Sequence, residues 1–260
     1  MIIVNIKEHK KTMSVTFDDG QVLKLPLVAK VDFLLYEGKE ITQELFAELV
    51  KFSRQQKDYQ YALMITSRFA YTTHEIKTKL AARGASSEDS GEIIAKLVEL
   101  NYLNDERYAE ERVNYLINVK KESRKSVIQK LKQKGLNEKL IFTYLSDDSE
   151  EQVINELVLK VMRRYTKHSI SYAKDKLITY LLRRGFKYGD IKNVVGTLDL
   201  KAYVDEEINI KQDLAIVRQK KVRDIQDKRE LKKILYNELM KLKYSSFLIN
   251  NVLEELDDEN

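Results

Sequence analysis

A five-residue pattern recurs along this chain: Leu80-Ala-Ala-Arg-Gly84, Leu131-Lys-Gln-Lys-Gly135 and Leu181-Leu-Arg-Arg-Gly185, spaced by 51 and then 50 residues. In each copy a leucine stands four residues before the glycine and a basic residue immediately before it. The residue eight before the glycine is also apolar: Ile76, Val127 and Leu177. Apolar residues at i and i+4 make one face of a helix, and a glycine just past its end takes the left-handed conformation that closes it. A degraded fourth copy, Leu239-Met-Lys-Leu-Lys243, follows 58 residues later with Leu235 in the equivalent apolar place and no glycine. A period near fifty marks a repeated supersecondary unit, one that must pack internally and against a neighbour to bury its stripe.

The flanks repeat as well. After each cap comes a short amphipathic pattern: Ile141-x-x-Tyr144-Leu145, Ile191-x-x-Val194-Val195 and Ile249-x-x-Val252-Leu253. In the first copy it reads as Ile94-x-x-Leu97-Val98 after an enlarged polar loop at 85–91. Before each cap helix lies another helical stretch, at 59–70, 105–119, 150–165 and about 203–222. Three helices per unit divide the chain into repeats at 58–103, 104–148, 149–198 and 199–260, the last degenerate and ending in an acidic tail. Thr72-Thr73-His74-Glu75 and Ser149-Glu150-Glu151-Gln152 have capping-box form, and Asn104 and Asn137 sit where N-caps are wanted. One proline and eight glycines leave few breakers, so long stretches can stay helical.

Residues 1–57 read differently. Apolar or alternating runs at 2–6, 13–17 and 21–25 suit strands, and Asp18-Asp19-Gly20 between two of them is a hairpin turn. Pro26 cannot donate to a ladder and ends the last strand; a short helix is expected over 26–35 and a longer one from Thr42 to about residue 57. The fold class is therefore mainly α: an elongated array of tandem three-helix repeats behind a small β-hairpin/α head.

Enzymatic chemistry finds little support. No cysteine is present, which removes thiolate catalysis and sulfur-ligated zinc and suits a reducing compartment. His9, His74 and His168 are the only imidazoles, and His74-Glu75 has no second histidine four residues on, so no metal site is expected. Ser171 and Lys174 have the spacing of a nucleophile pair without its companion motifs. Phosphate-binding glycine loops are absent, so no cofactor is expected. No stretch approaches the roughly 18 apolar residues of a spanning helix. A soluble, cytoplasmic, monomeric, non-catalytic protein is expected.

Charge is what remains. The net charge of +5 conceals an asymmetry: residues 151–253 hold twenty-two Lys/Arg against thirteen Asp/Glu, and five acids crowd into the last seven residues. Three basic clusters fall at equivalent places in successive units. The first comprises Lys121, Arg124, Lys125, Lys132 and Lys134; the second Arg163, Arg164, Lys167, Lys174, Arg183, Arg184 and Lys187; the third Arg218, Lys221, Lys228, Arg229 and Lys232. Repeated at one period, such residues would form a stripe able to follow a polyanion. Tyr165, Tyr172, Phe186 and Tyr188 are interleaved and could stack on unpaired bases.

The segment at 102–113, Tyr-Leu-Asn-Asp-Glu-Arg-Tyr-Ala-Glu-Glu-Arg-Val, resembles the best-known signature of the RecX family of recombination regulators. So does the run from Ser67-Arg68-Phe69 through Glu75-Ile-Lys-Thr-Lys-Leu80-Ala-Ala-Arg-Gly84. The resemblance covers about residues 60–256, and the β-rich head is similar to that of the longer Gram-positive members. It implies a modular three-helix-repeat protein that binds the RecA recombinase on single-stranded DNA and restrains strand exchange and ATP hydrolysis. Single-stranded and double-stranded DNA are the implied nucleic-acid partners, and no catalytic residue is implied. The alternative from the residues alone is a stand-alone DNA-binding helical-repeat module that makes no recombinase contact.

Overall fold

A computed structural model describes residues 1–221 and 227–258, with side chains of 221, 257 and 258 left aside. The chain forms two compact units, Met1–Glu111 with Leu131–Ile141, and Arg112–Lys130 with Phe142–Asn260.

The head opens the first unit. Strands β1 (Ile3–Glu8), β2 (Thr12–Phe17) and β3 (Val22–Pro26) form an antiparallel sheet in sequence order. The Asp18-Asp19-Gly20 turn forms as the sequence predicts, with Gly20 at φ 83°. Strand alternation puts Met13, Val15 and Phe17 on the buried face, where Phe17 meets Phe46 edge-on at 5.2 Å. Helix α1 (Val28–Asp32) is short, and α2 (Gln43–Thr66) runs unbroken for 24 residues from the Thr42 cap. The sequence suggested two helices there, broken near residue 58. No glycine or proline lies between 43 and 66, and buried Leu49, Ser53, Asp58 and Ala62 give one continuous inner face. The head and the first repeat thus share a helix.

In the first repeat, α3 (Thr73–Ala82) and α4 (Ser87–Glu99) pack with the end of α2 around Ile76, Leu80, Ile93 and Leu97. The polar stretch expected as an enlarged loop is instead the first turn of α4. Ser86 Oγ accepts from the Asp89 N–H and starts the helix early. Of the expected Ile94, Leu97 and Val98, Leu97 is fully buried and Ile94 packs at the edge of the core, while Val98 is exposed and Ile93 takes the inner position.

The second repeat consists of α5 (Asp105–Asn114) prolonged by a π-helical turn (Tyr115–Val119), α6 (Arg124–Gln133) and α7 (Glu138–Tyr144). The third is α8 (Glu151–Met162), α9 (Ile170–Arg183) and α10 (Tyr188–Thr197), whose core includes Ile154, Val158, Leu177, Leu181, Phe186 and Ile191. A 3₁₀ turn at Leu200–Ala202 leads to α11 (Glu206–Lys221), α12 (Lys228–Lys241) and α13 (Ser246–Asp258). Here Leu214, Leu235, Leu239 and Ile249 are the core.

All four second helices end alike. Ala85, Leu136, Phe186 and Tyr244 donate their N–H five residues back, to the carbonyls of Leu80, Leu131, Leu181 and Leu239. Gly84, Gly135, Gly185 and Lys243 donate three residues back. That is a Schellman ending, and the four inner residues all have φ between +65° and +87°. Lys243 therefore takes the glycine's conformation without being glycine.

Candidate nucleic-acid and partner interface

Which cations are available depends on what holds successive repeats together. The second helices of the first three repeats open on a buried hydroxyl, Thr72, Ser123 and Ser169, whereas α12 starts from exposed Asp227. Each hydroxyl oxygen accepts from the backbone N–H three residues on, in the manner of an N-cap. Its proton goes to the carbonyl that ends the next repeat's second helix. Thr72 donates to Lys134 O at 2.6 Å, Ser123 to Arg184 O at 2.7 Å and Ser169 to Leu242 O at 2.7 Å. One hydroxyl thus satisfies an orphan donor of one helix and an orphan acceptor of another.

A carboxylate from the next repeat's first helix closes each junction. Thr73 N–H donates to Asp105 at 2.9 Å, Arg124 N–H to Glu150 at 2.7 Å and Ile170 N–H to Glu206 at 2.9 Å. An anion at a helix N-terminus is favoured by the helix dipole. Burial pushes the Glu150 carboxyl above its ordinary range, against the opposing pull of the Arg124 N–H. Ser149-Glu150-Glu151-Gln152 accordingly makes no capping box. Glu150 is the N-cap without a side-chain cap bond, and Ser149 reaches only the Glu151 N–H at 3.3 Å.

The basic residue before each glycine also belongs to the scaffold. Arg83 donates to buried Asp58 at 2.8 Å and covers the Tyr61 ring, and Lys134 pairs with Glu75 at 2.6 Å. Arg184 donates to the carbonyls of Lys120 and Lys121 at 3.3 Å and to Tyr180 Oη at 2.8 Å.

The expected basic residues therefore divide into two sets. Arg124 is 17% exposed, and its guanidinium binds the carbonyl of Ser146 and the Asp147 carboxylate. Lys121 pairs with Glu156, and Lys132 with Glu138. Together with Lys134 and Arg184, these side chains already have partners within the fold. Lys125, Arg163, Arg164, Lys167, Lys174 and Arg183 are exposed and form no ion pair among the described residues. Lys187 is exposed too, its charge favouring the ionised Glu150. In the third cluster Arg218, Lys228 and Arg229 are exposed, Lys232 is half-buried, and the Lys221 side chain lies outside the described residues. Of the aromatics, Phe186 is a core residue at 3% exposure and cannot stack on a base. Tyr165 packs on the same core, Tyr172 rests against His168 at 4.5 Å, and Tyr188 is 58% exposed.

Ser123, Ser169, Asp105, Glu150 and Glu206 carry the junctions, and their individual motifs are too common to single them out. Their signal was positional: a hydroxyl before the second helix of the first three repeats and an acid at the start of the first helix of the last three. Among the described residues no three His, Asp or Glu side chains cluster as metal ligands, and no helix is long and apolar enough to cross a membrane.

Comparison with known proteins gives consistent matches. Residues 104–145 match the second three-helix domain of RecX, and residues 148–195 match the third. Regulatory protein RecX of Streptococcus uberis is 24% identical over 98% of this chain and all of its own length. That of Leuconostoc mesenteroides is 28% identical over 98% of this chain and 96% of its own. Among solved structures, a regulatory protein RecX at 23% identity shares the fold with a TM-score of 0.61, over 76% of this chain and 99% of that one. RecX from Lactobacillus salivarius, 29% identical, gives 0.51 over 56% of this chain and 97% of its own.

Proposed function

The chain belongs to the RecX family, and from that premise we propose that it is a non-enzymatic regulator of the RecA recombinase. It engages the RecA–single-stranded DNA filament and restrains strand exchange and ATP hydrolysis. The observation that carries this reading is the end-to-end alignment with proteins named as regulators, joined to cations that the scaffold leaves unpaired. Arg163, Arg164, Lys167, Lys174 and Arg183 are the contacts, meeting DNA phosphate or acidic recombinase surface. Arg124, Lys134 and Arg184 support them by fixing the repeats.

The unpaired cations also suit a second reading, a DNA-binding module independent of the recombinase. The two part in a titration of RecA's DNA-dependent ATPase. A regulator inhibits it at amounts near or below one per recombinase, and Arg163→Glu/Arg164→Glu/Arg183→Glu relieves the inhibition. A module acting on DNA alone inhibits only when it covers the strand, and added DNA reverses its effect. If the protein left both ATPase and strand exchange untouched, the regulator reading would be abandoned.

A further inference from the structure

The outward face of the head sheet takes no part in the repeat cores, and it is polar and basic apart from exposed Val22. Antiparallel register sets Lys7 and Lys24 directly opposite Ser14 on either side. One step along, Asn5 and Val22 flank Thr16. Thr12, Ser14 and Thr16 thus form a ladder of hydroxyls along the central strand, opposite in facing to buried Met13, Val15 and Phe17. Lys7 and Lys24 are exposed and form no ion pair among the described residues.

The two acids on or beside β1, Glu8 and Glu37, are engaged elsewhere. Glu8 stands opposite core-facing Met13 and pairs with Lys30 at 2.6 Å, and Glu37 accepts from the Ile6 N–H. At the β3 side the face opens into a groove of about 710 Å³, lined by Lys11, Lys24 and Lys57 with Thr12, Gln56 and Gln60 among others. No carboxylate lines it. Lys11 and Lys57 are likewise exposed and without an ion pair among the described residues.

From this face we infer that the head is a separate binding surface for the sugar–phosphate backbone of a single nucleic-acid strand. Charge complementarity carries the inference: lysines supply point charges, and hydroxyl and amide groups supply neutral donors. Spacing agrees with it. Same-face residues of a strand stand about 6.8 Å apart, close to the separation of successive phosphates on an extended single strand. No Phe, Tyr or Trp side chain is among these residues, and the His9 imidazole beside them is engaged with Ser14 Oγ at 3.3 Å, so the surface holds backbone without stacking on bases.

The test uses the full chain without recombinase, in an Arg163→Glu/Arg164→Glu/Lys167→Glu/Lys174→Glu/Arg183→Glu background that reverses the charge of the repeat contacts. Affinity for a fluorescent oligothymidylate is measured against salt, with and without Lys7→Gln/Lys24→Gln/Lys57→Gln. All three lysines are exposed, so thermal unfolding should be unchanged and serves as the folding control. The expected result is a fall in affinity on the order of tenfold and a loss of about 2 from the log–log salt slope, near 0.7 per phosphate contact. Oligonucleotide should also slow amide exchange in residues 12–17 of the parent and not of the variant. An unaltered salt slope, exchange that ignores the oligonucleotide, or equal protection by polyglutamate would overturn the inference, the last pointing to an acidic protein partner. RecA inhibition is not read in this assay, so its outcome is independent of the regulator reading.

Discussion

The ends of α9 and α12 solve the same problem with different residues. At α9 the left-handed position is Gly185, and at α12 it is Lys243, with φ 87° and 65°. Both junctions have the same hydroxyl clasp, Ser123 on Arg184 O and Ser169 on Leu242 O. A side chain at Gly185 would begin 2.9 Å from the Ser123 hydroxyl that makes the clasp. At α12 a side chain is accommodated, and the Lys243 ammonium pairs with Asp175 on the neighbouring α9. Asp175 sits on a 14-residue second helix, whereas the second helices of the first two repeats have 10. The hydrogen-bonded Schellman ending with its hydroxyl clasp is thus the constant feature. Glycine is needed where the preceding second helix crowds the position.

That comparison can be broken most forcefully at Gly135. A Cβ there would lie 2.2 Å from His74 Cβ at a φ of +81°. Gly135→Ala should lose about 2–4 kcal/mol, from left-handed strain and overpacking together, read as a lowered midpoint in urea. A change below about 0.5 kcal/mol would mean glycine is not sterically required.

Next come the clasp hydroxyls. Ser123→Ala and Ser169→Ala each remove an N-cap and leave a helix-end carbonyl without its donor, a loss of about 1–3 kcal/mol. Near-equal losses would support a common clasp; a loss at Ser123 alone would make the fourth repeat different in kind. Lys243→Gly should move stability by less than about 1 kcal/mol. Relief of left-handed strain is offset by the lost Asp175 pair and by a more flexible unfolded chain.

The smallest effect concerns Glu150. Because its folded pKa is raised, its contribution is fully present below the ordinary 4.5 and is lost as pH rises through the folded value. Glu150→Gln keeps an acceptor for the Arg124 N–H and removes the charge. Chemical denaturation from pH 4 to 7 should show wild type falling relative to the variant as pH rises. An opposite slope would contradict the burial account.

Much of this fold is legible in the sequence, because its periodicities are local. Leucines four before each glycine, with their apolar partners, are buried at 0–1%, and the Asp-Asp-Gly hairpin needs only turn chemistry. The unbroken α2 and the early start of α4 were harder to read. Helix continuity there is decided by packing on both the head and the first repeat, and by one serine cap. Which cations stay free was only half legible. Charge counting finds Arg183 and Arg184 alike, yet Arg183 is exposed while Arg184 binds two carbonyls across the junction. Adjacent residues on a helix face different ways, and only the packed neighbour decides which one remains free.

That pair offers the most direct test of the central claim, that cations left free by the junctions engage the recombinase filament. RecA's single-strand-dependent ATPase would be titrated with wild type and with Arg163→Glu/Arg164→Glu/Arg183→Glu, thermal unfolding confirming that both are folded. The account predicts wild-type inhibition near or below stoichiometry and at least a tenfold weaker effect from the variant. Equal inhibition by the two would contradict it.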